Sequence, residues 1–215
     1  MSAIDLSSKS GPVDQQGTLN SCVGHAVTTV FEVACGVSDR SRLAVYYNAR
    51  ALEGNTGRDI GCQIRNAIKG IALNGAYDEA LWPYDPSKVL VAPDATAVAS
   101  GVSTKGLVGS YAQVTNLASL KAALLAGRPV AFGLRVPSTF VSETKYDGFL
   151  PYPVSGTSFI GQHSMVAVGF DDATGNVKVK NSFGPTWGAQ GYLFMPYQWF
   201  NPMSYVSDAW TIIPK

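Results

Sequence analysis

Few residues in this 215-residue chain could carry covalent chemistry. Cys22 follows the polar, turn-prone run Asp14-Gln15-Gln16-Gly17-Thr18-Leu19-Asn20-Ser21 and occupies the first position of an apolar helical pattern. A thiol there is either a small buried hydrophobe or a nucleophile at the positive end of a helix dipole, which lowers its pKa and favours thiolate. A nucleophile of this kind needs a base. The only histidines are His25 and His163, so one of them serves unless a carboxylate does. His25 lies one helical turn after Cys22 and shares its face, yet a histidine among Val and Ala reads as a hydrogen-bonded core residue. His163 opens the run Met165-Val166-Ala167-Val168, just after a loop at Gly161-Gln162. Asn181 stands before a glycine-containing turn, where asparagine commonly bonds its own backbone.

The elements that must hold these residues change character midway. Apolar residues at Val23, Ala26, Val27, Val30 and Ala34 repeat near 3.6 and predict a helix from Cys22 to Val33, stopped by Gly36. A second helix is expected over Ser41–Leu52, and a third from about Cys62 to a stop at Gly75. After the Pro- and Ala-rich passage Trp82–Gly101, short β-type runs follow. They are Tyr111–Val114, Pro129–Val136, Ser164–Phe170, Val177–Lys180, Tyr192–Met195 and Ala209–Ile213, with one helix, Leu117–Ala126, among them. Helices first and strands afterwards predict an α+β protein with a helical lobe and a β lobe, and a cleft between lobes is the default place for a site.

Composition excludes other classes of function. Charged residues make up 14% of the chain and the formal net charge is +1, so no basic block is available to displace counterions from nucleic acid or to hold an anionic membrane. No apolar run approaches the roughly 20 residues that cross a bilayer. Three cysteines, Cys22, Cys35 and Cys62, form neither a disulfide framework nor a zinc spacing, and no metal or other cofactor is expected. The odd count, with no signal peptide in "MSAIDLSSKSGPVD", favours the cytoplasm; a secreted mature form cut from a longer precursor is the alternative.

Three blocks taken together resemble the papain-like cysteine peptidases, and their bacterial members in particular. Gln16-Gly17 with Ser21-Cys22 matches the family's Gln-Gly pair and its nucleophile. "HSMVAVGF", from His163 to Phe170, matches its histidine strand. Asn181-Ser182-Phe183-Gly184, Trp187-Gly188 and Gly191-Tyr192 match its asparagine block. "YYNARALEG", "WPYD" and "SDAWTI" extend the likeness over nearly the whole chain. The resemblance implies one papain-like catalytic domain of two lobes. The helical lobe would span about 16–105, and a β-barrel-like lobe about 106–215, joined by an N-terminal strap at 1–15. It implies Cys22 as nucleophile, His163 as its base, Asn181 as the group orienting His163, and Gln16 as a donor to the oxyanion. Gly61 would hold the substrate backbone, Cys62 and Gln162 would edge a substrate pocket, and Phe183 and Trp187 would shield the His–Asn pair.

The sequence also departs from the family. Leu19 stands where many members carry a disulfide cysteine, so all three thiols are expected to be free. Asn20, Val23 and Phe183 replace the usual Gly, Trp and Trp, which changes the cleft's shape and leaves the reacting groups in place. The implied partner is a peptide or protein substrate, with no nucleic acid and no membrane. Only a short segment precedes Gln16, so control is expected from a proteinaceous inhibitor, from a prosegment outside this sequence, or from compartment and substrate supply. The same residues would equally serve a peptide ligase, transamidase or amidase working through the same acyl-enzyme. A catalytically silent binding module is the remaining alternative, and retention of all four groups argues against it.

Overall fold

The computed structural model describes residues 2–144 and 146–215. Its centre is α1 (Cys22–Cys35), whose residues from Val23 to Glu32 are all buried, so this helix is enclosed on every side. Val27, Val30 and Phe31 are fully buried. Truncating a phenylalanine in such a place costs about 3–5 kcal/mol. Helix α2 (Arg42–Leu52) begins where the Ser41 hydroxyl accepts the Ala44 N–H at 3.1 Å, an N-cap. It crosses α1 very closely: a Cβ built at Gly24 would lie 2.7 Å from the Arg42 carbonyl oxygen and 2.9 Å from Tyr46 Cβ. No residue but glycine fits that crossing without displacing backbone. Helix α3 (Ile64–Asn74) buries Ile64, Ala67, Ile68 and Ile71 against the first two, one stripe at helical spacing.

Besides short 3-10 turns, the other elements among the described residues are α4 (Ala95–Ser100), α5 (Leu117–Leu125), α6 (Phe140–Thr144) and seven strands. These are β1 (Ala3–Asp5), β2 (Val108–Gln113), β3 (Val130–Pro137), β4 (Phe159–Asp171), β5 (Asn176–Lys180), β6 (Tyr192–Pro196) and β7 (Val206–Pro214). They form one antiparallel sheet in the order β2-β7-β3-β4-β5-β6, with β1 added alongside β4. The order has two ends and does not close, so the expected barrel-like lobe is an open, covered sheet. Strand β1 and helices α4 and α6 were not expected from the sequence: β1 has only three residues, and both helices are one or two turns long.

Strand β4 starts earlier than its apolar run. His163 and Gln162 therefore lie within the strand, paired with Leu134 and Arg135 of β3, and not at its mouth or in a loop. Gln162 is exposed and His163 is buried, so the strand passes from solvent into the core at the histidine. Beyond it the side chains alternate. Val166 and Val168 join the cluster built around α1, while Met165 and Ala167 pack in the core on the other face. A register shift between Ala167 and Gly169 then swaps the faces, which puts Phe170 with Met165. No helix among the described residues is long and apolar enough to cross a membrane.

Candidate active site

A cleft of about 510 Å³ lies between the start of α1, the segment before α3, and the strands β3, β4 and β7. Cys22, His163, Gln16, Gly61, Cys62, Gln162 and Phe183 all line it. A larger hollow, about 680 Å³, lies at the β1 edge among Asp5, Phe149, Phe170 and Phe194, and it contains neither thiol nor imidazole. Volume therefore does not mark the site; side-chain chemistry does.

The local fold fixes each side chain in turn. Ser21, buried and bonded through its hydroxyl to the Tyr84 hydroxyl at 2.6 Å, delivers Cys22 to the first position of α1. The thiol is served by the backbone N–H groups of Ser164, Val23 and Cys22 itself. The first of these belongs to the residue after His163, and Ser164 lines the cleft together with Cys22. His163 Nε2 is 2.7 Å from Asn181 Oδ1, and the Ser182 N–H donates to the same oxygen at 2.8 Å. That second donor identifies the atom as the amide oxygen, so Nε2 must carry a hydrogen and Nδ1 is the nitrogen left for the cleft. The Phe183 ring stacks on His163 at 4.8 Å and 28°, covering the hydrogen bond. Trp187 does not touch the imidazole in this way. It meets Phe183 edge-on at 5.6 Å and stacks on Phe140 at 5.7 Å, supporting the cover from behind.

Gln16 is held at four points, one of them its carbonyl, which accepts the Tyr84 hydroxyl at 2.8 Å. Its N–H donates to the Ser182 carbonyl at 2.9 Å, its Oε1 accepts the Ser182 hydroxyl at 2.6 Å, and its Nε2 donates to the Leu19 carbonyl at 2.8 Å. The amide nitrogen has two hydrogens, so one remains for the cleft. Gly61 adopts φ +82, a conformation that favours glycine, and its N–H is bonded to the Tyr46 hydroxyl at 2.9 Å. Its carbonyl is what remains for a substrate backbone.

Electrostatics correct one expectation. The Cys22 thiol is pushed up, not down: burial outweighs the three N–H groups that favour thiolate, and Asp59 adds to the rise. Burial likewise drives His163 down to about 4, against the pull of Asn181. Each group taken singly therefore prefers to be neutral. Burial also lifts Cys35 to about 11 and Cys62 well above the usual thiol range. All three cysteines are unpaired.

His25 belongs to a different environment. It is buried at the seam between α1 and β4, not inside the helical layer, with Nδ1 3.7 Å from Asp14 Oδ2 and Tyr84 edge-on at 4.7 Å. Arg42 Nε bonds Asp14 Oδ2 at 2.9 Å, and its Nη2 lies 3.6 Å from Glu32 Oε2. Lys180 is buried beside them with its ammonium on the Ser10 carbonyl. Among the described residues no cluster of three or more His, Cys, Asp or Glu could hold a metal ion.

Sequence reasoning missed several residues that shape the cleft. Asp59 receives the Asn20 N–H at 3.1 Å and the Tyr46 hydroxyl at 2.7 Å, tying the cysteine loop to the Gly61 segment. Asp208 of β7 accepts the Ile64 N–H at 3.2 Å and so caps α3 from the opposite side of the cleft. No local pattern signals either contact, because each joins distant parts of the chain.

A sequence model described as "Papain family cysteine protease" matches residues 2–207. The chain is 36% identical over 214 residues to the "Uncharacterized peptidase C1-like protein L477" of Acanthamoeba polyphaga mimivirus, covering 92% of this chain and 68% of that protein. Xylellain, a cysteine protease from Xylella fastidiosa, has a TM-score of 0.87 and 28% identity, covering 98% of this chain and 85% of that one. The bromelain protease from Ananas comosus, solved with the inhibitor E64, shares the fold at a TM-score of 0.73 and 20% identity, covering 99% of this chain and 98% of that one.

Proposed function

The chain belongs to the papain family of cysteine proteases, and from that premise we propose that it cleaves peptide bonds through a thioester on Cys22, with His163 carrying the proton, Asn181 holding His163, and Gln16 donating to the oxyanion. The observation that carries this reading is the 2.7 Å bond from His163 Nε2 to an asparagine oxygen whose identity Ser182 fixes. An imidazole anchored at Nε2 presents Nδ1 to the cleft in one orientation only. Residues 16–105 form one wall of that cleft in this reading, and 106–215 with the strap 1–15 form the other.

The steps follow from the groups present. The thiol proton passes to His163 Nδ1 as sulfur attacks the substrate carbonyl carbon. Burial disfavours either charge alone, but moving one proton between neighbours creates both charges together, and their attraction offsets much of that penalty. The carbonyl electrons move onto oxygen, where the spare Gln16 Nε2–H and the Cys22 N–H donate to them. Collapse breaks the C–N bond, and His163 gives its proton to the departing amine. Water, deprotonated by the now neutral His163, then attacks the thioester, releasing the carboxylic acid and the thiol. The Gly61 carbonyl, Cys62 and Gln162 would contact the acyl side of the peptide.

The test is intact mass after incubation with E64 or another thiol-directed electrophile. One adduct is expected on the wild type, on Cys22, and none on Cys22→Ala. Labelling at Cys35 or Cys62 with Cys22 left free would sink the reading.

A further inference from the structure

The densest group of unpartnered polar atoms among the described residues lies behind Asn181. His25 Nδ1 and Nε2, Ser164 Oγ and Asn181 Nδ2 are all buried with no direct hydrogen-bond partner in the protein. The three residues, each 4% exposed, line one small pocket at the seam of α1, β4 and β5. About 10 Å³ of it is open to the centre of a water molecule, roughly the space for one. His25 Nδ1 lies 3.7 Å from Asp14 Oδ2, beyond a good hydrogen bond, and the Tyr84 edge fixes the ring plane. Nδ1 thus faces a carboxylate, which favours a hydrogen on that nitrogen and leaves Nε2 as an acceptor.

We propose that this pocket holds one ordered water that accepts from Asn181 Nδ2 and donates to His25 Nε2 and Ser164 Oγ, making His25 a positioning residue for Asn181. The proposal rests on the function given above. Asn181 Oδ1 is pinned by His163 and by the Ser182 N–H. Its nitrogen end has no such anchor within the protein, and a water there would set the plane of the amide. His25 can accept only while neutral. Burial first, and then the charges of Arg42 and Lys180, hold it neutral against Asp14. The titratable groups around it are Asp14 before α1, Glu32 on α1, Arg42 on α2, Tyr84, and Lys180 on β5, while Cys22 and Asn181 face His163.

Attack needs the one proton that Cys22 and His163 share, which His163 carries once the thiol has given it up, so acylation falls as pH rises through the pKa of the pair. A less firmly held Asn181 lowers that pKa, and the alkaline limb of kcat moves down. A high-resolution crystal structure of the wild type should show a water within hydrogen-bond reach of His25 and Asn181. His25→Phe should lower kcat about tenfold with KM little changed, and shift the alkaline limb down by about half a pH unit. His25→Gln should recover most of both effects. Should His25→Phe fail to fold, Ser164→Ala removes one partner of the water and should move the limb the same way, by less. A dry pocket in the wild type, or an unmoved limb in the folded variant, overturns the proposal while Cys22 still labels and turns over. Loss of Cys22 labelling in the wild type would instead overturn the catalytic reading itself, and this one with it.

Discussion

The two histidines occupy neighbouring sites that differ in almost every respect except burial. His163 is 8% exposed and His25 is 4% exposed, and burial drives both imidazoles toward the neutral form. Around His163 there is little fixed charge: an asparagine oxygen at one nitrogen, a phenylalanine on its face, and an open cleft. Around His25 are Asp14, Glu32, Arg42 and Lys180, and the ring is not among the residues that line that cleft. In the proposed mechanism His163 is set apart from His25 not by its pKa but by having one nitrogen anchored on Asn181 while the ring lines the cleft. The charged surroundings of His25 tie Asp14, Glu32 and Arg42 together, and in our proposal they bear on the rate only through Asn181.

That contrast can be broken in order of effect. His163→Ala should cut turnover by roughly a millionfold, as the loss of one member of a unit does, while thermal stability changes little. Arg42→Met should do the reverse. It strips Asp14 and Glu32 of their shared cation and should cost about 3–5 kcal/mol in denaturant unfolding, with turnover of the folded protein within tenfold of wild type. Equal losses of rate in the two variants would erase the distinction. Gln16→Ala should lower kcat by about 10²–10³ and leave alkylation of Cys22 intact, since the amide acts only on the oxyanion.

The smallest effect concerns pH. Burial pushes Asp14 up, but His25, Arg42 and Lys180 outweigh it and hold the carboxyl at about 2, against an ordinary 3.8. The unfolded chain therefore takes up the proton first as pH falls. Stability of about 2 kcal/mol is present above pH ~4 and lost on descending toward pH ~2. Urea midpoints at pH 6 and pH 3 should fall further for wild type than for Asp14→Asn. Parallel shifts would mean that Asp14 is not coupled to the cations beside it.

What the sequence revealed of this site was what it encodes locally. Cys22, Gln16, His163 and Asn181 each lie in a short block with fixed neighbours, so residue order alone exposes them. The long helices were legible for the same reason, because α1 and α3 repeat their apolar residues over several turns. The Asp59–Asn20–Tyr46 ties and the cluster about Arg42 were not, since each assembles residues scattered along the chain. The direction of the Cys22 shift was misread because a helix dipole is visible in sequence and desolvation is not. Strand β4 was shortened because its first residues are exposed and polar, although backbone pairing with β3 continues through them.

Asp208 gives the cleft a mechanical property. Its carboxylate reaches across from β7 to the first N–H of α3, and Gln63, at the N-cap of that helix, supplies no side-chain bond of its own. The two walls are therefore latched at the point where a helix would otherwise begin with a bare end. Parting them uncaps α3, a loss of about 1 kcal/mol by the usual worth of an N-cap. Any occupant that widened the entrance at this point would have to break that bond, so the cost of widening is set by a helix cap and not by packing of the two walls.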